Sequence, residues 1–193
     1  SASNSTVTSN PSTVTADNTT TSTVTATIKD GSGNVIAGKT VSLTQVGGSG
    51  NATITAAVCG SGGSAGISNT SGEACFTVKS PTVEAAIFQA VDTTDSVTVT
   101  QTATVTFTAG TSSASTSTFS GSPTSVAADG TTTSLLTITL KDANDNLVSG
   151  KNTSVTKTSG AGTPTITAVT CNSGGTAGIS NSSGESCYTV KST

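Results

Sequence analysis

The sequence predicts an all-β protein of two tandem β-sandwiches, the second without its last two strands. Three observations carry this expectation. Apolar residues alternate with threonine and serine over short runs, the period of a half-buried strand. Clusters of Gly, Asn, Asp and Ser separate these runs, and no segment keeps a helical period. The chain also repeats itself at a fixed offset of 112 residues.

The runs follow in order. Residues 23–28 (TVTATI) place Val24, Ala26 and Ile28 on one face and threonines on the other. Val41 and Leu43 alternate likewise, as do Phe76 and Val78. Val97, Val99, Ala103, Val105 and Phe107 share one phase, with Gln101 interrupting it. Such patterning fits antiparallel sheets with one wet face. The turns fall at DGSGN (30–34), GGSG (47–50), GSGG (60–63) and NTSG (69–72). About seven short strands in roughly 110 residues is the pattern of a sandwich.

The repeat sets the domain organisation. Pro11 and Pro123, Asp17 and Asp129, Lys29 and Lys141, Gly38 and Gly150, Cys59 and Cys171, and Cys75 and Cys187 are each 112 apart, with no gap. The tails agree best: GISNTSGEACFTVKS (66–80) against GISNSSGESCYTVKS (178–192). The first repeat spans residues 1–112 and the second 113–193, joined by the Gly/Ser/Thr-rich stretch 108–116. Nothing in the second matches residues 83–107, which read as two strands.

Composition narrows the function. Charged residues make up 9% of the chain, against about 25% in an average globular protein. There is no His, Trp or Met, every basic residue is Lys, and Tyr188 is the one tyrosine. A net charge of −3 with abundant Val, Ile and Thr favours strands over disorder. Seven scattered Lys against ten acids make no phosphate-binding patch, which excludes nucleic acid as a partner. No apolar run approaches the roughly 20 residues of a membrane span, and there is no signal peptide, as in a mature secreted segment or a piece of a longer chain.

Each repeat carries two cysteines sixteen positions apart around a Gly- and Ser-rich spacer. Four cysteines allow three pairings, and repeat symmetry favours Cys59–Cys75 and Cys171–Cys187 as disulfides. A metal or redox site is the alternative, but zinc favours close Cys/His spacing and there is no His.

The stretch PTSVAADG (123–130), the strand 135–140 and KDANDNLVSGK (141–151) resemble the bacterial immunoglobulin-like domain of group 1, the repeat of invasin- and intimin-type adhesins. PSTVTADN (11–18) and KDGSGNVIAGK (29–39) match the same places in the first repeat. SGEACFTV (71–78) resembles the family's later Gly-x-Ala-x-Phe-x-Val strand, and TVTQTATVTF (98–107) its last one. The resemblance implies tandem immunoglobulin-like sandwiches in a surface-exposed array that holds an adhesive tip away from the cell. The cysteine pair departs from the usual repeat, and neither a lectin-like tip nor a membrane barrel is present.

Asp142, Asn144 and Asn146 resemble a cadherin-type calcium string, since oxygen ligands at alternating positions suit calcium. The bland reading is a turn, because the first repeat has DGSGN at the same place. An isopeptide crosslink needs a buried Lys, whereas Lys29 and Lys141 follow inward Ile28 and Leu140 and so point outward. Sequons stand at Asn4, Asn18, Asn51, Asn69, Asn152 and Asn181. Catalysis has few candidates: His is absent, and Glu73, Glu84 and Glu185 are the sole glutamates.

The function expected from these features is a non-catalytic, extracellular stalk segment of a cell-surface adhesin-like protein, without cofactor. Its partners would be further copies of the same repeat or subunit, and a host or neighbouring-cell surface. The alternative is a subunit of an extracellular filament, assembled by strand donation or domain stacking across an open sheet edge. A carbohydrate- or receptor-binding module is a third reading, disfavoured by the lack of aromatic platforms.

Overall fold

The computed structural model describes residues 1–193 and contains strands but no helix. The chain separates into two compact units, Ser1–Thr108 and Ala109–Thr193.

Unit 1 holds eight strands: β1 (Thr6–Asn10), β2 (Thr13–Thr15), β3 (Ser22–Thr27), β4 (Val41–Gly47), β5 (Thr53–Ala57), β6 (Glu73–Lys79), β7 (Glu84–Asp92) and β8 (Val97–Thr108). They form two four-stranded sheets, ordered β1-β3-β6-β5 and β2-β8-β7-β4. That is the immunoglobulin arrangement of an ABED sheet facing a CFG sheet. The first strand is shared between the sheets: β1 pairs antiparallel with β3, and β2 runs parallel to β8. The switch falls at the cis Asn10–Pro11 peptide. This division brings the strand number to eight where the sequence pattern indicates about seven.

The alternating residues do face inward. Val24, Ala26, Phe76 and Val78 from one sheet, and Ala86, Phe88, Val105 and Phe107 from the other, are buried in a single core. Gln101 stays exposed despite its inward phase. It lies where β8 has left its register with β7 (a shift between Gln89 and Val91), and its side-chain carbonyl accepts the Val7 backbone N–H at 3.1 Å. The interrupting residue thus links β8 to β1 across the two sheets.

Unit 2 holds β9 (Thr118–Ser122), β10 (Ser134–Thr139), β11 (Thr165–Val169) and β12 (Glu185–Lys191) in one sheet, ordered β11-β12-β10-β9. Shifted by 112 residues, this is the β5-β6-β3-β1 sheet of unit 1. Residues 125–127 and 153–159, the counterparts of β2 and β4, form no strand. In unit 1, β2 pairs with β8 and β4 with β7. A strand requires a partner for its backbone groups, so residues 109–193 form one sheet only, and the segments matching β2 and β4 stay without regular pairing, a wider difference from unit 1 than two strands.

Candidate functional site

The most constrained local structure in each repeat is the cysteine loop. Disulfides join Cys59 to Cys75 and Cys171 to Cys187, with Cα–Cα distances of 5.1 and 5.2 Å. Cys75 lies in β6 opposite Ala57, and Cys59 lies just beyond the end of β5. Each bridge therefore clips neighbouring strands of one sheet, unlike the inter-sheet bridge of antibody domains.

Asn69 organises the loop inside this clip. Its amide donates to the Ser61 hydroxyl and the Gly62 carbonyl, and its carbonyl accepts the Ser71 and Glu73 N–H groups. Asn181 repeats all four bonds with Ser173, Gly174, Ser183 and Glu185. The loop closes over this side chain so tightly that a Cβ on Gly63 would sit 2.8 Å from the Asn69 Cβ. Gly63 also has φ +107°, a conformation favouring glycine.

These bonds bear on the sequons. Asn69 and Asn181 are 8% and 9% exposed, and both amide hydrogens of each are engaged. Neither can accept a glycan while the loop is folded. The Asn4 amide bonds the Asp30 and Gly31 carbonyls, whereas Asn18, Asn51 and Asn152 are exposed.

Asp142 is buried, and its carboxylate faces only N–H donors. One oxygen accepts the backbone N–H of Asn144 and Asn146, and the other accepts the Gly110 N–H and the Asn146 side-chain amide. Burial works to raise its pKa, but these hydrogen bonds prevail and hold it below the ordinary carboxylate value. Asp30 makes the same turn, accepting the Ser32 and Asn34 N–H groups. A cation beside either carboxylate would meet amide hydrogens, so the string of Asp142, Asn144 and Asn146 serves as a turn. No three acidic or cysteine side chains gather closely enough to hold a metal ion.

Lys29 and Lys141 are half-buried, and Lys141 reaches Asp145 at 3.4 Å. Glu73 and Glu185 are tied to Ser61 and Ser173 within the cysteine loops. Glu84 is buried at the start of β7, where it accepts from Gln45, the Ser49 N–H, and the hydroxyls of Ser49 and Ser80. Burial opposes its ionisation, yet those donors lower its pKa. In Asp17 and Asp129 the carboxylate accepts both the N–H and the hydroxyl of the threonine three residues on, which lowers both pKa values strongly.

In unit 2 the inward face of the sheet is open. Phe119 is 60% exposed, while its counterpart Val7 is 2% exposed. Phe119, Ile138 and Val155 line a pocket of about 380 Å³ there, rimmed by Ser117, Ser154 and Thr156. Beside it lies a polar cluster absent from unit 1, where Thr153, Ser186 and Tyr188 replace Val41, Ala74 and Phe76. The Thr153 hydroxyl bonds those of Ser186 and Tyr188, each at 2.7 Å. Sequence reasoning missed this cluster; its signal is the joint change of three apolar positions between the repeats.

The sequence model of invasin domain 3 matches residues 113–192. No curated protein matches the chain in sequence. Among solved structures, invasin, a bacterial integrin-binding protein, is 23% identical, with a TM-score of 0.69 over 98% of this chain and 34% of its own. InvD of Yersinia pseudotuberculosis is 22% identical, with a TM-score of 0.63 over 100% of this chain and 50% of its own. The Escherichia coli adhesin FdeC is 23% identical, with a TM-score of 0.59 over 99% of this chain and 56% of its own. At these identities the likeness is one of fold, and the chain spans from about a third to just over half of those proteins.

Proposed function

We propose that this chain, an immunoglobulin-like protein of the invasin and intimin type, is a non-catalytic stalk segment of an adhesin-like protein on a cell surface. The observation that carries the reading is the gap-free repeat, in which each copy keeps its own disulfide and its own Asn-centred loop. Repetition of a self-contained sandwich supplies reach without chemistry, as in other tandem arrays. The disulfides suit an oxidising, extracellular setting. The organised polar groups stabilise turns: the carboxylates of Asp17, Asp30 and Asp142 accept from their own loops.

In this reading residues 1–112 and 113–193 are successive immunoglobulin-like repeats, and their first partners are further repeats of the same kind. A host or neighbouring-cell surface would be engaged elsewhere in the protein. Glycans, where the host attaches them, belong at Asn18, Asn51 or Asn152.

Immunogold labelling of intact source cells with antibody to residues 1–108 tests the localisation. Label outside the cell boundary is expected; label confined to the cell interior would overturn the proposal.

A further inference from the structure

An edge strand leaves one side of its backbone unpaired, and proteins blunt such edges with proline, charge, bulges or short length. In unit 1 the edge strands are β1, β2, β4 and β5. β1 is tied to β8 through Gln101 and Ser9, and the chain turns away at Pro11. β2 is three residues long, and β4 has a register shift between Gln45 and Gly47. β5 has none of these devices. Its register with β6 is unbroken from Thr53 to Ala57, and no backbone hydrogen bond reaches it from a loop. No charged residue lies anywhere between Lys39 and Glu73. The Cys59–Cys75 disulfide clips the chain to β6 just past the end of β5, so the open edge is held in order before any partner arrives.

We propose that β5 is a self-pairing edge, at which two copies of this chain join antiparallel about a two-fold axis through Thr55. The side chains select this register. On the face toward the core, Ala52 meets the partner's Val58 and Ile54 meets the partner's Ala56, so each large apolar group faces a small one. On the outer face Thr53 meets the partner's Ala57 and Thr55 meets its own copy, a favourable cross-strand pair with no like charges opposed. Val58 is 60% exposed and Ala56 is also exposed, so pairing removes apolar surface from water. The contact is isologous and continues the β1-β3-β6-β5 sheet into its copy. The second repeat is not equipped for it: Pro164 blunts the start of β11, where unit 1 has Ala52, and Thr170 replaces Val58. An interface one strand wide is small, so it joins copies where they are crowded together. The resulting side-by-side joining of neighbouring stalks rests on the stalk reading; the pairing itself does not. A glycan on Asn51, next to Ala52, would shield this edge.

Sedimentation velocity of the whole, unglycosylated chain tests the pairing. A reversible dimer is expected at concentrations up to about 1 mM. Thr55 is exposed, so Thr55→Lys and Thr55→Glu should fold as the parent does, which circular dichroism melts establish. Each variant sets two like charges against each other on the axis and should weaken its own dimer by about tenfold. A one-to-one mixture of the two should pair again, because opposite charges then meet. Thr167→Lys, the same change in β11, should leave the dimer intact. Four results would overturn the proposal. They are a chain that stays monomeric over the whole range, a dimer indifferent to both Thr55 variants, a mixture of the variants that does not pair, or a dimer lost with Thr167→Lys, which would place the contact in unit 2.

Discussion

Tyr188 donates its hydroxyl to the Thr153 carbonyl at 2.5 Å and lies 2.7 Å from the Thr153 hydroxyl. The same positions in the first repeat are Phe76 and Val41, both buried and apolar. Adding an oxygen at one place is matched by adding one at the other, and Ser186 for Ala74 completes the set. A buried hydroxyl without a partner is costly, whereas a satisfied cluster is nearly neutral relative to an apolar one. The three substitutions therefore have to change together. Thr153→Val should destabilise unit 2 by about 1 kcal/mol, read in denaturant from the emission of Tyr188, the one tyrosine in a chain without tryptophan. Replacing all three by Val, Ala and Phe should restore most of the loss in amide exchange of β10 and β12; a triple variant worse than the single one would refute the coupling.

The disulfide of unit 1 closes a loop with a sequence separation of 16. Replacing Cys59 and Cys75 together by Ser should lower the stability of unit 1 by about 3 kcal/mol in the chain-entropy account. Equilibrium urea unfolding measures this, and an unchanged midpoint would show that the loop is held by Asn69 alone.

Acid should loosen unit 1 in a defined window. Glu84 and Asp17 have folded pKa values below their unfolded ones. Such groups add stability that is present above the unfolded values, about 4, and lost as pH falls through the folded ones. The melting temperature should therefore drop as pH falls below about 4. The drop should be shallower in Glu84→Gln, which should in turn be less stable at neutral pH because it loses charge-assisted bonds from Ser49 and Ser80. Parallel pH profiles for the two proteins would remove Glu84 from the account.

Glycines at positive φ differ in what surrounds them. Gly63→Ala combines φ +107° with a 2.8 Å approach to the Asn69 Cβ, and should cost about 1–3 kcal/mol. Gly38→Ala, at φ +76° with nothing within 4 Å, should cost less. Equal losses would mean that backbone conformation, not the packing over Asn69, sets the requirement.

The sequence made some elements legible and hid others, for physical reasons. β3, β6 and β8 bury alternate residues against a full opposing sheet, so their period is strong. β2 is three residues long and exists through parallel pairing with β8, more than ninety positions away, which no local pattern reveals. Cysteine pairing was readable because just one of the three connectivities closes within each repeat and leaves the copies independent of each other. A sequon reads the same in an exposed turn as in a buried one, so the role of Asn69 as the centre of its loop emerged from four hydrogen bonds and not from its neighbours in sequence. The turn at Asp142 was equally ambiguous until its oxygens were seen to face amide hydrogens.

The stalk reading is tested most directly by electron microscopy of the native material that carries this chain. The account predicts separate rods that shorten when residues 1–108 are deleted from the full-length protein. Filaments with helical symmetry, unaltered in subunit spacing by that deletion, would contradict it and make the chain a filament subunit.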